Sequence, residues 1–215
     1  MNKLLSITLV ALIATACQQT QKKEEAEVPQ IDPNAISCEG IGPVKLAYSH
    51  AALDSAIGAD NLENGTAEVE GRTVHITKVF PNEAEEITVY WAETKEPYTT
   101  ITKIAIANNF GPYQTAEGLR VGSTLNEVKE LNNFMPVTMT NFYNSVDGFA
   151  NILGFGGGDI ETNYPCIGGK LDIVKQRGVD VRTLDEIKPE KELKSSHKLF
   201  NSIDVEVVEL TVSAK

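Results

Sequence analysis

The feature that most constrains the fold is a short plan of strand, hydroxyl residue and helix that occurs twice in the chain. Residues 42–58 read GPVKLAYSHAALDSAIG, and residues 118–131 read GLRVGSTLNEVKEL. A shift of 75 positions places apolar on apolar, basic on basic and hydroxyl on hydroxyl residues. The matched pairs are Val44 with Leu119, Lys45 with Arg120, Leu46 with Val121, Ala47 with Gly122, Ser49 with Thr124, and Leu53 with Val128. A plan used twice predicts a fold built from two related units.

Each unit carries local signals for a short strand and a capped helix. The order apolar, basic, apolar is typical of a half-buried strand. Ser49 and Thr124 are suited to cap the two helices, and Thr124 with Glu127 fits a capping box. Gly58 follows an apolar helical stripe and is suited to end the first helix.

After each helix the hydrophobic period changes to two, which predicts strands. Asn64-Gly65 lies just before the first of these strands and predicts a hairpin turn. Residues 176–200 are polar and predict a solvated loop or a short helix, and residues 203–212 predict a last strand added to the second sheet. The predicted strands between the helices and residue 176 are 73–80, 85–93, 99–107, 136–143, 149–155 and 168–175.

We therefore predict an α+β fold in which two tandem helix-plus-antiparallel-sheet repeats form one compact domain. The first repeat spans residues 38–112, and the second spans residues 113–215 and includes the C-terminal strand. A domain of this length can bury a real hydrophobic core.

The N-terminus has the layout of an export signal. It reads MNKLLSITLVALIATACQQ, with an apolar stretch too short to span a bilayer and small residues before Cys17. This order resembles the lipobox of bacterial lipoproteins, although Ala14 stands where Leu is usual. The resemblance implies that residues 1–16 are a signal peptide and that Cys17 is acylated, for example with palmitate. An ordinary secretory signal with an incidental Cys17 is the alternative.

Residues 17–37 are polar and charged, which predicts a flexible tether. The lipobox resemblance implies that this tether is lipidated at Cys17. The run QKKEE within it resembles the export signal of surface-exposed lipoproteins of Bacteroidetes. A solvated linker that carries no address is the alternative. The expected location is the outer membrane, with the domain facing the periplasm or the cell surface.

The net charge limits the classes of partner that the protein can bind, and the cysteine content indicates an oxidising compartment. The formal net charge is −11, and removal of residues 1–16 makes it about −12, so nucleic acid is a poor partner and membrane contact is expected only through the N-terminal lipid. Cys38 and Cys166 remain, and an exported protein with two such cysteines usually pairs them. We predict a Cys38–Cys166 disulfide, with two buried thiols as the alternative.

The repeat motif carries a family resemblance. Its order of elements resembles the tandem helix-plus-sheet repeats of β-lactamase inhibitor protein. Gly122, Thr124 and Val128 also resemble the Gly-Met-Thr-x-x-x-Val motif of the small lipoprotein of the outer-membrane barrel-assembly machinery, with Ser123 in place of Met. EGLRVGSTLNEVKELN followed by GGKLD is similar to uncharacterised lipoproteins of Bacteroidetes. Chance similarity between two hairpin-rich segments is the alternative.

No motif points to catalysis, a metal or a cofactor. His50, His75 and His197 show no metal-ligand spacing, so each is predicted to be structural. The glycine-rich residues 154–160 resemble a phosphate loop, but no helical period follows, which predicts a flexible hairpin loop. The acidic residues around 60–70 depart from the calcium-loop pattern and predict a solvated turn.

Two adjacent aromatic pairs are the remaining functional signal. Tyr90-Trp91 and Phe142-Tyr143 lie in predicted strands, where neighbouring side chains point to opposite faces. An outward aromatic row on a sheet is suited to bind a protein. The alternative is that the outer rings are covered by the other repeat or by residues 176–200.

These observations favour a non-enzymatic lipoprotein that binds another protein of the cell envelope through a sheet face. The alternative is an envelope glycan-binding or glycan-hydrolysing protein that uses loop carboxylates such as Asp159 and Glu161. A passive component of the cell surface is a third hypothesis.

Overall fold

The computed structural model of the protein describes residues 32–214. The predicted signal peptide, Cys17 and most of the predicted tether lie outside the described residues. Within the described range, no helix combines the length and the apolar character that crossing a membrane requires.

Capping residues define the helices as predicted. Ser49 Oγ accepts a hydrogen bond from the Ala52 N–H at 3.2 Å, and Thr124 and Glu127 form a complete capping box. The α-helices of residues 32–214 are α1 (His50–Ile57), α2 (Leu125–Leu131), α3 (Asp159–Asn163) and α4 (Val181–Ile187).

Two antiparallel sheets account for the strands of the described part of the chain. A small sheet contains β1 (Ile36–Ser37), β2 (Gly40–Ile41) and β3 (Val44–Lys45). The large sheet has the spatial order β11-β8-β9-β10-β12-β7-β6-β5-β4. Its strands are β4 (Leu62–Val69), β5 (Arg72–Val79), β6 (Ile87–Trp91), β7 (Ile101–Ile106), β8 (Thr138–Thr140), β9 (Ala150–Gly154), β10 (Ile167–Gln176), β11 (Glu192–Lys194) and β12 (Ile203–Ser213).

The protein is therefore α+β, as the sequence predicts, and its strands lie in antiparallel pairs. The predicted last strand exists as β12, but it pairs with both β10 and β7. One continuous sheet thus includes the strands of both halves of the chain. The predicted strand over 136–143 is wrong in its second part, because Phe142–Asn144 forms a 3₁₀ turn after β8.

The hydrophobic core contains the apolar faces of α1 and α2 and one face of the large sheet. Leu53 of α1 and Val128 of α2 are buried, as are Val89 and Ile104 of the central strands. Full burial of such a side chain contributes about 1.5–3 kcal/mol relative to its exposure. The opposite face of the sheet is more polar and is called the outward face below.

The hairpin predicted at Asn64-Gly65 is wrong. β4 runs straight through both residues, and Gly65 pairs with Ile76 of β5. The turn lies at Glu70-Gly71 instead, where both residues have positive φ, 52° and 72°. Two consecutive residues with positive φ fit the type I′ turn that matches the twist of a two-residue hairpin.

The second unit differs from the first before its helix. The predicted short strand at 119–121 does not form, whereas its counterpart β3 pairs with β2. The Gly122 N–H donates to Val207 O at 2.8 Å, and Thr124 forms an isolated bridge with Glu206. The second segment is therefore held by β12 rather than by a small sheet of its own.

The ordered domain begins before the predicted boundary at residue 38. Ala35 forms a parallel bridge with Gln114, and the Ile36 N–H donates to Gln114 O at 2.8 Å. Ile36 is also buried. The assignment of residues 36–37 to the tether is wrong, because they form β1.

The predicted disulfide between Cys38 and Cys166 is confirmed. The two Cα atoms lie 5.5 Å apart, and the bridge joins the small sheet to the residue just before β10. In the chain-entropy model, a closed loop with a separation of 128 residues contributes about 4–5 kcal/mol to stability.

Residues 176–200 contribute more structure than a solvated loop. They include α4 and β11, and β11 adds an edge strand beside β8. Ile187, Leu193 and Leu199 are buried. This segment therefore covers part of the core of the second half.

The corrected turn position gives a test of the fold. Gly71→Ala should lower the free energy of unfolding by about 1–2 kcal/mol, because an L-residue is strained at φ +72° while an added Cβ meets no atom within 4 Å. Gly65→Ala is the matched control. Its added Cβ would lie 3.8 Å from Ile76 Cγ1, so stability should stay equal or rise by about 0.5–1 kcal/mol. Urea unfolding of both variants measures the difference, and the reverse order would contradict this turn position.

Candidate functional site

The outward face of the large sheet is concave and contains two adjoining cavities of about 610 and 550 Å³. Both cavities are lined by Tyr90 and Glu209, so they form one continuous depression. Glu68 of β4 and Leu153 of β9 line the same cavity although their strands lie far apart in the sheet order. The sheet is therefore curved around this face. We call this depression the outward trough; its lining residues include Glu68, Glu70, Tyr90, Lys103, Phe110, Asp147, Leu153, Gly168, Lys170, Glu209 and Thr211.

Tyr90 and Lys103 form the centre of the trough floor. They are paired neighbours on β6 and β7, and Lys103 Nζ lies 4.0 Å from the centre of the Tyr90 ring. Partial burial raises the pKa of Tyr90, and the negative charge of Glu209 adds to this effect. Burial lowers the pKa of Lys103 although Glu209 opposes the change.

Lys103 has no ion-pair partner within residues 32–214, since no carboxylate oxygen there lies within 4.0 Å of its Nζ. A half-buried ammonium group has lost part of its hydration, and a cation–π contact replaces only part of that loss. The floor of the trough therefore offers a cation that an anionic group of a ligand can pair with.

Gly168 leaves a part of the trough floor near Lys170 without a side chain. Gly168 pairs with Thr211, and Lys170 pairs with Glu209, so all four positions belong to one stretch of β10 and β12. A Cβ added to Gly168 would lie 3.1 Å from Thr211 Oγ1. Because the two residues before Lys170 are glycines, no side chain covers the backbone of the trough floor at these positions.

An ion pair fixes one rim of the trough. Lys170 Nζ lies 2.9 Å from Asp147 Oδ2 and 5.5 Å from the centre of the Phe149 ring. The hydrogen bond from Lys170 lowers the pKa of Asp147 to about 2, and the hydroxyl of Ser145 also donates to this carboxylate. The Lys170–Asp147 ion pair therefore connects the rim residues 145–149 to β10.

The other end of the trough is acidic and carries an exposed ring. Phe110 is 85% exposed, and Glu83 and Glu86 line the same cavity. Glu86 is half-buried, which disfavours its charge, but hydrogen bonds from the Asn82 N–H and from Lys78 outweigh this and lower its pKa. The trough thus presents basic and acidic regions with an aromatic residue in each.

The predicted aromatic surface is only partly outward. Trp91 is 3% exposed and Phe142 is 4% exposed, so both rings belong to the core and not to a binding surface. Tyr90 lies on the floor of the outward trough, as strand alternation allows. Tyr143 is 38% exposed but lies in the 3₁₀ turn and does not line the trough. The four predicted residues therefore do not form one surface.

A histidine and aromatic cluster on the core side of the sheet was not predicted. His50 and His75 both pack against the Tyr98 ring, with centroids at 6.1 and 5.2 Å, and Tyr98 also stacks on Trp91 at 5.8 Å. His75 Nδ1 lies 3.1 Å from the Tyr98 hydroxyl. His50, which is predicted to be structural, is half-buried in this cluster and does not project freely from the surface.

A chain of hydrogen bonds closes the same cluster. The Trp91 indole donates to Thr77 Oγ1 at 2.9 Å, and Thr77 donates to Asn64 Oδ1 at 2.7 Å. His50 Nε2 lies 3.0 Å from the same Asn64 oxygen. These polar atoms satisfy one another, which supports the structural role predicted for His50, and the contact of His75 with the Tyr98 hydroxyl supports the same role for His75.

The glycine-rich residues 154–160 do not form the flexible hairpin loop that was predicted. A short helix, α3, begins at Asp159. The Glu161 carboxylate accepts from the Phe155 and Gly157 N–H groups at 3.2 and 2.9 Å, and Asn132 Oδ1 accepts from the Ile160 N–H at 3.2 Å. Because side chains of the chain itself occupy these donors, the loop is not arranged to receive phosphate.

The acidic residues around 60–70 do not lie in one turn: Glu63 and Glu68 lie on β4, Asp60 in the 3₁₀ turn before it and Glu70 in the turn after it. Glu68 accepts a hydrogen bond from Thr73, and Glu70 pairs with Arg72 at 3.5 Å. Across residues 32–214, no group of three His, Cys, Asp or Glu side chains is placed to hold a metal ion.

Comparison with known proteins gives no information on the function of this site. No protein-family model matches the chain. No curated protein gives a significant match. Among solved structures, the chain is similar to the uncharacterized protein YfeY from Escherichia coli, with 14% sequence identity and a TM-score of 0.48, over 84% of this chain and 99% of that chain.

The rim ion pair gives a pH prediction. Because the pKa of Asp147 is lowered from 3.8 to about 2 in the folded protein, its contribution to stability is present above 3.8 and is lost as the pH falls through about 2. Lys170→Met should raise the pKa of Asp147 toward 3.8, and Lys95→Met, a change at an exposed lysine, should not. Carboxyl ¹³C NMR titration measures this pKa, and an unchanged value in Lys170→Met would refute the contact.

Proposed function

We propose that the protein is a non-enzymatic binding module that holds part of an envelope protein in the outward trough. The observation that carries this proposal is the half-buried Lys103, which lies over the Tyr90 ring without an ion-pair partner among residues 32–214. A fold gains no stability from an unpaired, desolvated cation, whereas a binding site gains affinity and orientation from it.

The chemistry of the trough suits a protein partner. Tyr90 lies at its centre, while Phe110 and Leu153 are exposed near its two ends. Protein interfaces commonly combine buried aromatic residues with a polar rim. Charges of both signs, such as Lys170 and Glu83, would fix the orientation of a partner rather than attract any single class of ion.

The arrangement of the strands supports the tandem-repeat part of the hypothesis. β4 to β7 are consecutive neighbours in the sheet, and β8, β9 and β10 are consecutive neighbours followed by β12. The last strands of the two series, β7 and β12, lie side by side. Two units of one plan, joined through their last strands, would produce this order.

The N-terminal signals complete the proposal. Cys17 would carry the lipid that anchors the protein in the outer membrane, and the domain would face the periplasm or the cell surface. This part depends on the lipobox-like sequence and on the polar residues that follow it.

The glycan alternative has weaker support. Of the two carboxylates it requires, Glu161 accepts two backbone hydrogen bonds within the glycine-rich segment. A carboxylate that holds a loop together is poorly placed to act as a general acid or nucleophile. Loss of measurable glycan cleavage in Asp159→Asn would restore this alternative.

Lipidation is tested by substitution of the predicted acceptor. Cys17→Ser should abolish incorporation of an alkynyl palmitate analogue and move the protein out of the membrane fraction, because one side chain carries the anchor. The double variant of Cys38 and Cys166 to Ser is the control and should keep the label. A labelled Cys17→Ser protein would refute the predicted site.

Partner binding is tested by photo-crosslinking of the full-length protein in cells. We expect p-benzoylphenylalanine at Tyr90 or Phe110 to give one discrete adduct. Phe134 is the matched control, because it is 72% exposed but does not line the trough.

The variant Lys103→Met tests whether the adduct depends on the unpaired cation. It should reduce the adduct several-fold while the free energy of unfolding stays within about 0.5 kcal/mol of the original or rises. An equal adduct from Phe134, or no adduct from either trough position, would refute the proposed surface.

A further inference from the structure

A separate cavity, of about 430 Å³, shares no lining residue with the outward trough. The start of α2, the residue after β10 and the segment leading into β12 form its wall. We call it the basic cavity; the side chains that define it are Asn126, Lys129, Arg177, Ser196, His197 and Phe200. Its volume lies within the range of small-molecule sites, which is about 300–1,000 Å³.

The charge of this cavity is opposite to that of the chain. The chain has a net charge of −11, yet the cavity wall has three basic side chains and one carboxylate, Asp204. Arg177 pairs with Asp204, and this pairing lowers the pKa of the carboxyl and raises that of the guanidinium. Because Asp204 is paired with Arg177, it does not neutralise Lys129 and His197, which also line the cavity.

Lys129 is half-buried and has no ion-pair partner among the described residues. His197 Nδ1 accepts a hydrogen bond from the Leu199 N–H at 3.1 Å, so the hydrogen of the neutral ring is on Nε2. Both side chains are therefore hydrogen-bond donors, which suits an anionic group.

Neutral polar groups and an apolar wall lie beside these donors. In the part of the chain that the structure describes, the side chains of Asn126 and Ser196 have no hydrogen-bond partner. Both residues are exposed at the cavity. Phe200 is half-buried and Ile203 is buried, so one wall is apolar.

We propose that the basic cavity binds a hexose that carries one anionic group, either a phosphate or a carboxylate. Lys129 would pair with the anion, while Asn126 and Ser196 would hydrogen-bond to sugar hydroxyls. The Phe200 ring would pack against the C–H face of the sugar. This site is independent of the trough and does not require the proposed protein partner.

Ligand-observed saturation-transfer NMR on the detergent-solubilised full chain tests this proposal. Four probes separate the contributions: glucose 6-phosphate, glucuronate, glucose and inorganic phosphate. We expect glucose 6-phosphate, glucuronate or both to bind, and a bound phosphate or carboxylate sugar shows which anionic group the cavity accepts. Neither glucose nor inorganic phosphate should compete at the same concentration. Competition by glucose or by inorganic phosphate at equal concentration would overturn the proposal, as would the absence of binding by both glucose 6-phosphate and glucuronate.

Two variants locate the site. Lys129→Met should weaken glucose 6-phosphate binding by about tenfold or more, because it removes a charge-assisted hydrogen bond. Lys95→Met is the control and should leave binding unchanged. Asn126→Asp places a negative charge beside the anion, while an acid in the first turn favours helix folding, so it should also weaken binding. Unchanged affinity in both Lys129→Met and Asn126→Asp would overturn the assignment.

Discussion

The large sheet depends on one strand, β12, and on its pairing with β10 and β7. β12 separates the strands of the two halves, so without it β7 and β10 would be edge strands of two smaller sheets. The same strand supplies Glu209 and Thr211 to the outward trough and Asp204 to the basic cavity. β12 thus contributes to the core, to the outward trough and to the basic cavity.

The local parts of this fold follow from local sequence. Ser49, Thr124 and Glu127 act as caps because their side chains reach backbone N–H groups within one turn. Asn64-Gly65 fails as a turn because the Asn64 side chain and the Gly65 backbone have partners on β5 and α1 that a local pattern does not contain. Here long-range pairing overrides a local preference, and the turn moves to Glu70-Gly71, where the chain reverses.

The candidate site could be predicted only in part for the same reason. Alternation along β6 correctly separates Tyr90 from Trp91, because it needs only neighbouring positions. The approach of Lys103, Lys170 and Glu209 depends on the order of β7, β12 and β10, which no spacing in the sequence specifies. The cluster of His50, His75 and Tyr98 likewise joins a helix, a strand and the loop between β6 and β7.

Lys103 and Lys129 are candidate binding groups because they are half-buried, and not only because they lack an ion-pair partner among the described residues. Exposed lysines are fully hydrated, so an isolated charge on the surface costs the protein little. Lys103 has exchanged part of its hydration for the face of Tyr90, and the lowered pKa reflects this loss. An anionic group that entered the trough, as proposed, would restore a favourable environment for the ammonium group. Affinity at such a site would therefore come partly from solvation that folding has removed and that the face of Tyr90 replaces only in part.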